Sequence, residues 1–98
     1  MNSEILRGSI FRACPDILST SLDDGAVLLE LREGTYFGLN LVGQYIWDLL
    51  QGEIEFLTIE KKLRCEFDAS SKILRADLTG FLQTLLNYEL IQQVDESR

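Results

Sequence analysis

The hydrophobic pattern of this chain changes its period at Asn40, and that change limits the possible folds more than any other feature. Between Ile17 and Asn40, short apolar runs alternate with two turn sequences, Asp23-Asp24-Gly25 and Arg32-Glu33-Gly34. Two turns between three short runs predict three antiparallel strands, each paired with the next in the chain. After Asn40 the apolar residues recur at helical spacing. The sequence therefore predicts an α+β fold in which helices follow a three-stranded antiparallel sheet.

Three helices are expected after this point. Asn40 is a good N-cap for the first helix, and Gly52 supplies its end. The second is a short amphipathic helix with apolar residues at intervals of four from Ile59 to Phe67. The third follows residues 68–71 and runs to about Tyr88. Its wide apolar stripe consists of Leu74, Leu78, Phe81, Leu82 and Leu85.

A chain of 98 residues has room for one hydrophobic core. We expect residues 1–16 to form an arm with a short strand around Ile10, residues 17–92 to form the domain, and residues 93–98 to fray. No apolar run is long enough for a signal peptide or a membrane span. We therefore expect a cytoplasmic location and no membrane partner.

The formal net charge of −7 bears on the choice of partner. Strands followed by three helices are also typical of winged helix-turn-helix modules, which place a helix in the DNA major groove. Nucleic-acid binding needs Lys and Arg residues that neutralise phosphates, and the third helix contains only Lys72 and Arg75 as cations. A winged-helix regulator of transcription stays an alternative, but we expect no nucleic-acid partner.

The sequence offers little that could support catalysis. It contains no histidine, no glycine-rich phosphate loop and no CxxC pair, and Cys14 and Cys65 are interpreted as buried free thiols. Asp23 and Asp24 precede Gly25 and are interpreted as turn residues. We therefore expect a protein that is not an enzyme, with no catalytic residue, no metal ion and no cofactor.

The last strand of the predicted sheet, Thr35 to Leu39, is an edge strand. Phe37 and Leu39 face the core, while Tyr36 and Gly38 face the other way. A groove between this edge and the third helix would offer unpaired backbone groups beside an apolar wall, which is the geometry of peptide binding by strand addition. The residues expected to bind a peptide are Tyr36, Phe37, Gly38, Leu39, Leu74, Arg75, Asp77, Leu78, Phe81 and Leu82.

Two other interpretations use the same residues: the leucine stripe is core alone, or the edge strands of two copies pair in a structural dimer. Among the ten residues, Tyr36 and Arg75 are the strongest candidates for ligand contact. Tyr36 can present a polar tip, and Arg75 can pair with carboxylates or carbonyls. Asp77 is interpreted either as a partner for a basic ligand residue or as a solvated charge.

The order of several motifs resembles the PqqD family, small domains also called RiPP recognition elements. The matching pattern is Tyr36-Phe37-Gly38-Leu39-Asn40, followed by Gly43, Ile46-Trp47, Leu49-Leu50 and Gly52. It continues with Ile59, Leu63 and Phe67, then Asp77-Leu78, Phe81-Leu82 and Leu85, and ends at Leu90-Ile91. The resemblance covers the chain from about Ile17 to Gln92 and is greatest for the versions found in lasso peptide pathways.

The resemblance implies a winged-helix-like fold that does not bind DNA. It also implies that the leader peptide of a ribosomally made precursor adds to the third strand against the third helix. In lasso peptide pathways, the implied partners are the precursor leader peptide, a cysteine-protease-like leader peptidase and a macrolactam-forming cyclase. In the quinone-cofactor pathway, the chain would be a chaperone for that precursor, and its implied partner is a radical enzyme.

Overall fold

The computed structural model describes residues 8–67 and 70–94. Its elements are β1 (Ile10–Ala13), β2 (Ile17–Leu22), β3 (Gly25–Glu30), β4 (Thr35–Asn40), α1 (Leu41–Leu49), β5 (Ile54–Glu55), α2 (Phe56–Phe67), α3 (Ser71–Asn87) and β6 (Ile91–Val94). The winged helix-turn-helix-like α+β fold is therefore the one that the sequence predicts. Within the described ranges, no helix is both long and apolar enough to cross a membrane.

The predicted three-stranded sheet is present as β2, β3 and β4, in that order and antiparallel throughout. Ala26 and Leu28 of β3 are buried on the face that meets the helices. Gly34 has a φ of 71°, the left-handed conformation expected at the end of the second turn. That turn also includes Leu31, the residue before the predicted turn sequence Arg32-Glu33-Gly34.

The hydrogen-bond pattern of this sheet shows which backbone groups its two edges leave open. The N–H of Leu31 donates to the carbonyl of Asp16 at 3.0 Å, so this pair is hydrogen-bonded. Bonded and non-bonded pairs alternate along an antiparallel ladder, and the register is unbroken from there to Leu22 and Gly25. The residues whose N–H and C=O groups point away from β3 are therefore Ile17, Ser19 and Ser21 on β2, and Tyr36, Gly38 and Asn40 on β4.

A second sheet, with the order β5-β1-β6, contains residues 10–13 of the expected arm and Gln93 and Val94 of the expected tail, so these residues belong to the folded unit. β1 pairs with β6 from Ile10 opposite Val94 to Ala13 opposite Ile91, and Phe11 is completely buried. The strand expected around Ile10 is present, and it pairs residues 10–13 with residues 91–94. Residues 1–7 and 95–98, which complete the expected arm and tail, lie outside the described residues.

The core lies between the first sheet and the three helices. Its fully buried side chains include Leu28, Leu50, Ile59, Leu63 and Leu82, and Phe37 and Leu39 of β4 pack against it. Asn40 caps α1 as predicted, because its side-chain Oδ1 accepts a hydrogen bond from the N–H of Gly43 at 2.8 Å. The cap makes β4 lead directly into α1.

The two cysteines are free, but the prediction that both are buried is wrong. Cys14 is half-buried, and Cys65 is exposed on α2. Burial raises the pKa of the Cys14 thiol. Exposure of Cys65 follows from its position on α2, where Ile59 and Leu63 define the buried face.

Candidate binding groove

An open apolar groove of about 440 Å³ lies beside the edge strand β4. Strand β4 and all three helices contribute to it. Its lining consists of Gly38, Leu39, Asn40, Val42, Gly43, Ile46, Leu63, Phe67, Leu74, Asp77, Leu78 and Phe81. Ten of these twelve residues have no polar side chain, so the groove suits apolar side chains of a ligand.

The groove has a buried floor and an accessible rim. Ile46, Leu63 and Leu78 form the floor and also belong to the core. Val42 and Phe67 are exposed at the rim, with 40% and 37% of their surface accessible. A ligand would therefore gain most new contacts at the rim, since the floor is already in contact with protein.

The backbone of β4 supplies the polar wall of the groove. Tyr36 and Gly38 carry N–H and C=O groups that point away from β3, and no described strand pairs with this edge. At Gly38, a Cβ atom would meet nothing within 4 Å, so the outer face of β4 is uncovered at this position. An extended peptide could form hydrogen bonds here and place alternate side chains in the groove.

Six of the ten residues predicted to bind a peptide line this groove: Gly38, Leu39, Leu74, Asp77, Leu78 and Phe81. Two others, Tyr36 and Phe37, lie on β4 but outside the lining. The Tyr36 side chain is 69% exposed, and the Tyr36 backbone N–H and C=O groups belong to the open edge. Phe37 packs its ring 5.0 Å from that of Tyr88 and helps to hold β4 against the end of α3.

The remaining two predicted residues, Arg75 and Leu82, do not line the groove. Leu82 is completely buried in the core. Arg75 lies on another face of α3 and bonds the buried carboxylate of Glu60 on α2, with Nε at 3.0 Å and Nη2 at 2.9 Å from Oε2. Arg75 therefore fixes α3 against α2, which positions two walls of the groove.

Residues of α1 and α2 complete the groove, and the sequence analysis did not assign them to it. They are Val42, Gly43, Ile46, Leu63 and Phe67, and Asn40 at the end of β4 also lines the groove. Gly43 was the available signal, because a glycine inside a helix often marks a close approach. A Cβ at Gly43 would lie 3.3 Å from Leu39 Cβ and 3.4 Å from Phe81 Cζ, so glycine lets α1 approach β4 and α3 closely.

A charged network connects the turn before β4 to the end of α3. Arg32 donates from Nε to Glu30 at 3.0 Å and from Nη2 to Glu89 at 2.9 Å. Burial opposes ionisation of Glu30 and would raise its pKa. Hydrogen bonds from the backbone N–H groups of Glu33 and Arg32 and from the Arg32 guanidinium outweigh this effect, so the pKa of Glu30 is lowered. Bonds to Glu89 and Glu30 in turn raise the pKa of Arg32. The network holds the start of β4 close to the helix that it faces.

Acidic and sulfur-bearing residues do not converge in this groove. Within residues 8–67 and 70–94, no group of three or more cysteine or acidic residues could hold a metal ion. Asp77 is the one ionisable residue in the lining, and it is exposed. What the arrangement offers chemically is a row of backbone hydrogen-bonding groups beside an apolar trough.

The fold and the site together define a class of protein: an α+β domain with an open sheet edge beside an apolar groove. Such a domain is suited to binding extended peptides. The chain belongs to the PqqD family, since the family model described as coenzyme PQQ synthesis protein D matches residues 25–91. This confirms the resemblance seen in the sequence. No curated protein matches the chain.

Two solved structures resemble this one. The first is TbiB1 in complex with the TbiA(beta) leader peptide, with a TM-score of 0.77 and 34% sequence identity over 87% of this chain and 99% of that chain. The second is a lasso peptide synthetase B1 complexed with the leader peptide, with a TM-score of 0.73 and 24% identity over 84% of this chain and 96% of that chain. At that identity, the second match shows the fold alone.

Proposed function

We propose that this chain binds the leader segment of a ribosomally synthesised precursor peptide, of the lasso type, as a strand added to β4. The observation that carries the proposal is the position of the open β4 edge directly beside an apolar groove of about 440 Å³. Similarity to TbiB1, a protein solved with a leader peptide, supports the choice of ligand. Membership of the PqqD family supports it as well.

The edge and the groove are both needed for useful affinity. Each backbone hydrogen bond contributes about 1 kcal/mol net, so four bonds to Tyr36 and Gly38 supply about half of the ~8 kcal/mol that a micromolar complex requires. Apolar side chains of the leader must supply the rest, and they must also offset the cost of ordering the peptide. Val42, Phe67 and Phe81 are the accessible groove residues best placed to contact them.

We further propose that the bound leader is presented, unaltered, to a cysteine-protease-like leader peptidase and to a macrolactam cyclase. An added strand leaves the remainder of the precursor outside the groove, where other proteins can reach it. Catalysis by this chain is not part of the proposal, because Asp77 alone in the lining can ionise. The resemblance of the run from Tyr36 to Trp47 to the versions found in lasso peptide pathways favours a lasso precursor over a quinone-cofactor precursor.

Titration of fluorescently labelled leader peptides encoded near this gene tests the proposal. We expect a saturable rise in fluorescence anisotropy, with the peptide mass unchanged after incubation. Gly38→Pro removes an N–H that points away from β3. Edge strands tolerate proline at positions whose N–H makes no bond within the sheet. It should weaken leader binding, whereas the same change at Ser19, on the opposite edge, should not. Absence of saturable binding to any of these leaders would contradict the proposal.

A further inference from the structure

The outer edge of β2 is a second open edge, opposite the one proposed to bind the leader. Ile17, Ser19 and Ser21 direct their N–H and C=O groups away from β3, and no strand among the described residues pairs with them. All three offer both a donor and an acceptor, which is enough for a paired strand of five to seven residues. Among the residues that the structure describes, this edge is therefore left unpaired, as that of β4 is.

Strand β2 lacks the features that usually protect an edge. Its sequence from Ile17 to Leu22 contains no charged residue and no proline, and its register with β3 has no bulge. Leu18 and Leu22 are 55% and 50% exposed on the outer face of the sheet. An added strand would cover part of this apolar surface with its own side chains.

Acidic residues stand at both ends of this edge. Asp16 precedes the strand, Asp23 and Asp24 follow it, and all three are exposed. No ion pair within the described ranges involves them. If two copies of β2 paired antiparallel, Asp16 of one would lie close to Asp23 or Asp24 of the other at both ends, and these like charges would oppose a dimer. A strand with basic residues at its ends would be attracted instead.

We propose that the β2 edge is a second strand-addition site, which binds an extended segment of a partner protein with Lys or Arg at both ends. The acidic residues at the two ends of the strand select this segment over a second copy of the chain. The site does not depend on leader binding at β4. When the leader occupies β4, the β2 edge is still free, and a protein that acts on the precursor can dock there.

Nuclear magnetic resonance titration of the full chain tests the proposal with two seven-residue probes. Both consist of alternating threonine and valine, one with lysine at each end and the other with glutamate. We expect the lysine probe to shift the amide signals of Ile17, Ser19 and Ser21. The glutamate probe should bind about tenfold more weakly at low salt, and the difference should shrink at high salt.

Two proline variants separate this site from the leader site. Ser19→Pro removes an outward N–H and leaves the β2–β3 hydrogen bonds in place, so it should abolish binding of the lysine probe and keep leader binding. Gly38→Pro should weaken leader binding and leave binding of the lysine probe unchanged. Equal binding of the two probes, or shifts confined to β4, would overturn the proposal. A concentration-dependent dimer that Ser19→Pro abolishes would also overturn it, because a second copy would then occupy the edge.

Discussion

Val42→Asp should separate leader binding from folding. Val42 is the second residue of α1, it is 40% exposed, and it lines the rim of the groove. Burying this exposed fraction under a ligand contributes about 1 kcal/mol, and covering an unpaired carboxylate costs about 2 kcal/mol more. The sum of about 3 kcal/mol corresponds to a roughly hundredfold loss of affinity. Stability should change little, because a carboxylate in the first turn of a helix is favourable and α1 has none there.

Leu57→Asp is a matched control for that change. Leu57 is the second residue of α2, it is 37% exposed, and the first turn of α2 also has no acidic residue. It lies outside the groove. Fluorescence anisotropy with a labelled leader peptide should therefore show an affinity within about twofold of the original chain. The reasoning is refuted if Val42→Asp binds the leader as tightly as Leu57→Asp does, while urea titrations show both variants to be folded.

Three further changes test the framework around the groove. Leu82→Ala should lower the free energy of unfolding by about 2–5 kcal/mol in urea titrations, since Leu82 is fully buried. Arg75→Ala leaves the carboxylate of Glu60 buried without its partner, and it should cost about 2 kcal/mol in the same assay. Glu30→Gln should be less stable than the original chain at pH 7. Because the pKa of Glu30 is lowered in the folded state, its contribution is present at neutral pH, so the difference between the two should begin to narrow below about pH 4.5 and should vanish only when the pH falls through the lowered pKa.

Local signals in the sequence were sufficient to predict the sheet and the three helices. The turn residues before Gly25 and Gly34 and the N-cap at Asn40 act within a few residues of their own positions, and the structure has each of these features where it was expected. The pairing of β1 with β6 joins residues about eighty positions apart in two four-residue strands. No local pattern indicates such a partner, so the second sheet was missed.

The groove was predicted in part for a related reason. The period of β4 and the stripe of α3 correctly indicated that Leu39, Leu78 and Phe81 lie together. A stripe does not show where the core ends and a groove begins, which is why Leu82 was included. Nor does it show which neighbour a charged residue faces, and Arg75 proved to face Glu60 on α2. The contribution of α1 depends on helix packing angles, which sequence periodicity does not specify.

Amide hydrogen exchange at β4, followed by nuclear magnetic resonance, tests the central claim most directly. In the free chain, the N–H groups of Phe37 and Leu39 should exchange slowly because they bond to β3, and those of Tyr36 and Gly38 should exchange quickly. Saturation with leader peptide should slow amide exchange at Tyr36 and Gly38 at least tenfold, because these N–H groups then bond to the added strand. If the leader binds fully and both amides still exchange as they do in the free chain, the peptide does not add to β4 and the account is wrong.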